Sequence, residues 1–430
     1  MSSLFFNTAE LMRGLALTFF VCSFAHAAEP TGVRSWKSTA GSDIEARAKS
    51  IDGGVVTLET PSGREIKVPT EKFVPEDQAV LEKHFGQAGE KKDPSSGQPT
   101  TLAHKQGEVV GPIEARGSHY FFYLPKSLKT GRKSPLLFFT NSGGGTPDQL
   151  TALIEGSEIC GWILAISVES KNGMEAPESI AHCRNCVSHI KATLPVDADR
   201  VYFSGISGGS REAFENSVAM DSAGVLAIVA GAQPGQIKRR KHYFFISGAT
   251  DFNRYGTAKS FSEAKGFSAF RFNALGHAVG PDWLVTEGIV WLESKWHQKA
   301  KKSDDARADF ETAALDWVEK LKTSEPWRAA WWAAHLIECG LIHPVAQTRA
   351  AALTKKLGAH ADAVGYAKAI TDLEGFAADT LSGGPIYSPD CMNHTNSGIR
   401  KKAEALASRY AAVPWVKEIC AAVGNPTDQL

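Results

Sequence analysis

The 430-residue chain has no excess of either charge: 47 Lys and Arg balance 47 Asp and Glu. No global field gathers nucleic acid or anionic lipid, so no nucleic-acid partner is expected. Long apolar runs are missing except near the start, so no membrane span is expected. Seven cysteines are too few to hold a chain of this size together through disulfides. Cys183-x-x-Cys186 lacks a second ligand pair for a metal and a following histidine for covalent haem. It reads as packing cysteines, with His182 and His189 at the surface. The glycine-rich Asn141-Ser-Gly-Gly-Gly145 lacks the Lys-Ser/Thr of a phosphate-binding loop. No cofactor and no metal are expected.

What is there begins with Arg13, an apolar run from Leu15 to Phe24, and Ala25-His-Ala27. These are the charged, apolar and small-residue sections of a secretory signal, residues 1–27, which implies cleavage near Ala27 and a secreted or periplasmic location. Residues 28–86 form a small β block, with alternating strands over 44–49, 54–60 and 64–68 and a helix beginning at Pro75. Residues 87–106, rich in Gly, Pro, Ser, Lys and Gln, read as a linker. Residues 107–300 carry buried strand-like runs and read as an α/β domain with a mostly parallel sheet. Residues 301–430 turn to alanine-rich helical spacing, as a small bundle or as a cap over the active edge. Trp327, Trp331 and Trp332 there read as core, with sugar stacking as the other reading. Of the cysteines in this last region, Cys391 and Cys420 are the favoured pair, with connectivity open. Lys238-Arg-Arg-Lys241 is expected to be solvated.

The chemistry centres on Val201-Tyr-Phe203, which runs into Gly205-Ile-Ser-Gly-Gly209 and then into helix-compatible sequence. A serine hydroxyl is a weak nucleophile; it must stand clear of the sheet, beside a base and near amides that take an oxyanion. A tight strand-to-helix turn does this, and Gly205 and Gly209 relieve the crowding it creates. His242 to Asp251 reads as a buried strand ending on an acid, and Phe267 to His277 as the next strand with a histidine past its end. Ser207, Asp251 and His277 thus come in the order nucleophile, acid, base, each beyond the carboxyl end of a strand, where open sheets bind ligands. Asp282 is the alternative acid, against the usual order. Gly208, Ser142, Gly143 and Gly144 supply the candidate oxyanion amides, and Gly280-Pro-Asp-Trp283 a candidate pocket wall.

Val196-Asp-Ala-Asp-Arg-Val-Tyr202, Gly205 to Gly209, Gly248-Ala-Thr-Asp-Phe-Asn253 and Gly276-His277 together resemble the α/β-hydrolases, in their esterase and polyhydroxybutyrate-depolymerase-like branch. The resemblance implies Ser207 as nucleophile, Asp251 as orienting acid, His277 as base, and an ester-bearing small molecule or polymer as substrate. A serine peptidase is the second reading. An inactive docking protein is the third, because Asn141-Ser142 stands where the family often has His-Gly-Gly. Arg34-x-Trp36, Gly63 to Pro69 and Asp77-Gln-Ala79 resemble SLA1 homology domain 1, an SH3-like β-barrel module, which implies a peptide or protein ligand for it.

Overall fold

A computed structural model describes residues 32–52, 55–85, 104–301, 303–358, 361–384 and 397–424. The expected secretory signal, most of the expected linker and Cys391 lie outside them. The chain divides into two compact units, Met1–Gly97 and Gln98–Leu430.

In the first unit β1 (Arg34–Lys37), β2 (Asp43–Asp52), β3 (Val55–Glu59) and β4 (Glu65–Pro69) form an antiparallel meander, followed by α1 (Pro75–Phe85). The motif residues interlock. Trp36 is fully buried, its indole N–H donates to the Ala46 carbonyl (2.8 Å), and the Arg34 guanidinium lies 4.6 Å from its ring. Asp77, at the start of α1, accepts from the Lys37 amide (2.6 Å) and pairs with Arg34, so one carboxylate ties helix to strand.

The second unit runs β5 (Val109–Ala115), β6 (Ser118–Tyr123), β7 (Ser134–Asn141), α2 (Ile154–Cys160), β8 (Ile163–Ser167), α3 (Ala176–Thr193), β9 (Val196–Ile206), α4 (Gly208–Ala219), β10 (Gly224–Ile228), β11 (His242–Gly248), α5 (Arg254–Glu263), β12 (Ser268–Asn273) and α6 (Asp282–Ala300). It continues with α7 (Asp305–Ser324), α8 (Pro326–Glu338), α9 (Pro344–Leu357), α10 (Ala361–Phe376), α11 (Ser397–Arg409) and α12 (Pro414–Gly424). The strands lie in the order β12-β11-β10-β9-β7-β8-β6-β5. β6 runs antiparallel to both its neighbours, β5 and β8, and the other pairs are parallel. That order and that polarity are the α/β-hydrolase fold.

The apolar runs are continuous because both faces of the sheet are covered. Phe138, Phe203, Ala227 and Phe245 point to one core, with α3, α4 and α5; Leu137, Tyr202, Leu226 and Phe244 point to the other, with α2 and α6. The apolar run from Ile159 reads as strand throughout, but β8 begins only at Ile163, because Ile159 and Cys160 end α2 and left-handed Gly161 (φ 69°) terminates it. β5 gives little strand signal in sequence. It carries Gly111-Pro112, tolerated on an edge strand where the ladder with β6 shifts register.

The carboxyl-terminal helices extend both cores, α7 to α9 joining one and α10 to α12 the other, and α10 covers the β12 edge. Glu374 on α10 accepts from the Phe270 amide (3.0 Å) and from Arg271 (2.9 Å), covering donors on an otherwise open edge. The tryptophans belong to this packing. Trp332 is fully buried, Trp327 lies against Tyr366, and Trp331 stacks on His335 (4.9 Å, 6°) with Arg271 4.9 Å from its ring. Of the three only Trp332 is fully enclosed; Trp327 and Trp331 are half-buried, and Trp331 also lines a cavity. Cys183, Cys186 and Cys420 are free, buried thiols. His182 and His189 bond Ser118 (2.8 Å) and Tyr120 (2.9 Å). In the 238–241 run the first three side chains are exposed, while Lys241 reaches back to the Ser217 carbonyl (2.9 Å).

His335 on α8 makes this packing sensitive to acid. Burial, with Lys295 and Arg271 nearby, drives its pKa down to about 3. The unfolded chain takes up the proton near pH 6.5, as an ordinary histidine does, and the folded one does not. Stability should therefore fall as pH drops from about 6.5 toward 3. His335→Gln should flatten that slope in urea midpoints measured across the range.

Candidate active site

Ser207 sits between β9 and α4 with φ 58° and ψ −120°, a conformation side chains rarely adopt. Its amide donates to the Ile228 carbonyl on β10 (3.0 Å), and its own carbonyl receives the Ser210 amide (3.0 Å), so the turn is held on both sides. The flanking glycines are dictated by contact. A Cβ on Gly209 would stand 2.2 Å from the Thr140 carbonyl oxygen, and one on Gly205 would stand 2.3 Å from the Gly209 backbone. These are backbone atoms in a sheet and cannot step aside. Gly209→Ala should cost about 1–3 kcal/mol, read as a lower denaturant midpoint.

The other two members arrive from the next strands. β11 ends at Gly248, and Asp251 follows three residues later, wholly buried. β12 ends at Asn273, whose side-chain oxygen accepts from the Leu275 amide (2.8 Å) and shapes the loop carrying His277. That loop crosses Gly248 so closely that a Cβ there would lie 1.9 Å from the Gly276 oxygen. His277 Nε2 is 2.7 Å from Ser207 Oγ, and Nδ1 is 3.0 Å from Asp251 Oδ1. Asp282 begins α6 and is exposed, and Nδ1 faces Asp251 instead.

Burial pushes the Asp251 carboxyl above its ordinary range, with the bonds from His277 and the Asn253 amide pulling the other way. A carboxylate with so little solvation gains from a neighbouring positive charge, which an imidazolium supplies. Asp251→Asn would place an amide opposite Nδ1 and favour the wrong tautomer. Turnover of any ester that the site accepts should then drop about 10⁴-fold, with fold and thermal midpoint little changed.

Two contributors were not singled out from sequence. Asn253 donates its amide to Asp251 Oδ1 (2.8 Å) and its side-chain N–H to the Val229 carbonyl (2.9 Å), and accepts from Arg211 (2.7 Å). It ties the acid to β10 and α4. The ring of Phe252 stacks on His277 (4.2 Å, 29°). The only signal for either was position next to an acid at a strand end.

The oxyanion set narrows. The Gly143 amide already donates to Asn141 Oδ1 (2.9 Å) and the Gly144 amide to the Asn141 carbonyl (3.0 Å). Of that loop's candidates, Ser142 is the one whose amide has no partner among the described residues. Gly208 is the first residue of α4, where amides lack intrahelical acceptors and the helix dipole favours negative charge. Asn172 lies against Gly208, and its amide holds the Ser142 carbonyl (2.9 Å), so one residue bridges both donors. Among the described residues no cluster of three or more His, Cys, Asp or Glu is placed to hold a metal, and no helix is long and apolar enough to cross a membrane.

Sheet order and strand-end constellation together define an α/β-hydrolase fold bearing a serine, histidine and aspartate in one hydrogen-bonded chain. No family model and no curated protein matches the sequence. Solved structures with similarity to it include "Structure of arylesterase" (12% identity, 45% of this chain and 87% of that one, TM-score 0.36). Another is Est1E from Butyrivibrio proteoclasticus (15%, 44% and 98%, 0.35). A third is the S-formylglutathione hydrolase FrmB from Staphylococcus aureus (10%, 41% and 90%, 0.34).

Proposed function

We propose that the protein is a serine hydrolase of carboxylic esters, acting through an acyl-enzyme. The observation that carries this reading is the unbroken chain from Asp251 through His277 to the strained Ser207. Ser207 Oγ attacks the ester carbonyl carbon and its proton passes to His277 Nε2. Asp251 holds Nδ1–H and steadies the imidazolium. The amides of Gly208 and Ser142 take the oxyanion. His277 returns the proton to the departing alcohol, and water, activated by the same base, releases the acid.

The finer reading is an exported enzyme of the polyhydroxybutyrate-depolymerase-like branch, acting on a polysaccharide acyl ester or a polyester. Its support is the 1–27 leader pattern and the motif set from Val196 to His277. The first unit is proposed as an SLA1 homology domain 1-like docking module for a peptide or protein, on the strength of the Arg34, Trp36 and Asp77 interlock. Labelling by a fluorophosphonate probe tests the chemistry, and paired ester and amide substrates separate esterase from peptidase. A wild-type chain that takes no label would favour the docking reading.

A further inference from the structure

Arg240, Lys295, Lys299 and Lys368 line a cavity of about 950 Å³ that is separate from the triad. It opens at His242 and Ser268, the first residues of β11 and β12, whereas Asp251 and His277 follow the opposite ends of those strands. A strand of that length spans roughly 20 Å. Among the described residues none of the four cations has a carboxylate within ion-pair reach. Two carboxylates line the cavity. Glu338 makes no ion pair among those residues, and Glu374 is taken by Arg271. Arg271, 1% exposed, also lines the cavity, but its charge is met by Glu374 and by Glu287, 3.6 Å from its Nε, so the four surface cations are the ones left over. Two wall histidines are held neutral, chiefly by burial and secondarily by the nearby cations. Burial, then Lys299 and Lys295, lowers His242 to about 4; burial, then Lys295 and Arg271, lowers His335. Part of the lining is apolar, with Trp331, Ala334, Ala363 and Ile370. Unpaired cations in a partly apolar lining attract a molecule with one charged end and one greasy one. The size suits a small molecule.

We propose that this cavity is a second ligand site, remote from Ser207, for an amphipathic organic anion: an aromatic or alkyl body against Trp331 and Ala334, its carboxylate or sulfonate among the lysines. The test uses the full chain and two dyes of one shape, anionic 1-anilinonaphthalene-8-sulfonate and neutral N-phenyl-1-naphthylamine, in fluorescence titrations. The anionic dye should bind saturably at one site and more weakly with added salt. Its Kd should rise about tenfold or more in a Lys295→Met, Lys299→Met, Lys368→Met variant, while that of the neutral dye changes little. Ala334→Trp should remove both dyes. Circular dichroism confirms the fold of each variant, and the lysine changes, being rim substitutions, keep the test decisive if the tryptophan variant does not fold. Unchanged affinity of the anionic dye in the lysine variant overturns the assignment. So does displacement of the dye by a fluorophosphonate, which would put it at Ser207. The lysine-variant outcome does not depend on whether Ser207 turns over esters.

Discussion

Ser207→Ala should abolish fluorophosphonate labelling and lower ester turnover on the order of 10⁶-fold, with the thermal midpoint nearly unchanged. The hydroxyl is the only atom removed; the elbow is held by backbone bonds to Ile228 and Ser210 that alanine keeps. The reasoning extends to pairs. Nucleophile and base act as one unit, 2.7 Å apart, so His277→Ala should cost nearly as much. The double variant should then be little worse than either single one, as a kinetic cycle would read. Residual catalysis, from the Gly208 and Ser142 amides and from binding, should survive in all three. Turnover that persists undiminished in Ser207→Ala would mean that another group performs the attack, and the proposal would fall.

The largest stability effect should come from Glu287→Ala, far from any chemistry. Glu287, on α6, is fully buried and accepts from Arg328 Nε and Trp332 Nε1, each at 2.9 Å, while Arg271 Nε stands 3.6 Å away. It joins α6, α8 and β12. Deleting it leaves two guanidinium groups, each 1% exposed, short of their shared counter-charge, at a cost of about 3–5 kcal/mol. Glu325 also pairs with Arg328 but is one-third exposed, so Glu325→Ala should cost only about 0–1 kcal/mol. Equal denaturant midpoints for the two variants would show that the buried carboxylate does not fasten these helices.

The elbow was readable because its requirements are local. A strand run, a nucleophile and glycines two residues to either side are all set by contacts within one turn. The strands β7 to β12 were readable for a related reason: burial on both faces forces unbroken apolar runs. The same burial hid α6, where every side chain from Leu284 to Ser294 is buried and no polar stripe marks the helix. Asn253, Asn172 and Glu287 were not legible as contributors, since an asparagine or glutamate gains its role from partners distant in the chain. The cavity beneath β11 and β12 was out of reach too; Arg240, Lys295 and Lys368 come from separate elements.

By itself the sequence determined most of the core strands, where the chain must turn on glycine, and which three residue types stand ready at strand ends. Short-range sterics and apolar periodicity suffice for that. Tertiary structure alone decided that His277 meets Asp251 and not Asp282, that the Gly143 and Gly144 amides are spent on Asn141, and that α10 covers the β12 edge. Those outcomes depend on directions and distances between groups that only packing brings together, and hydrogen bonds and ion pairs are made or lost within an ångström.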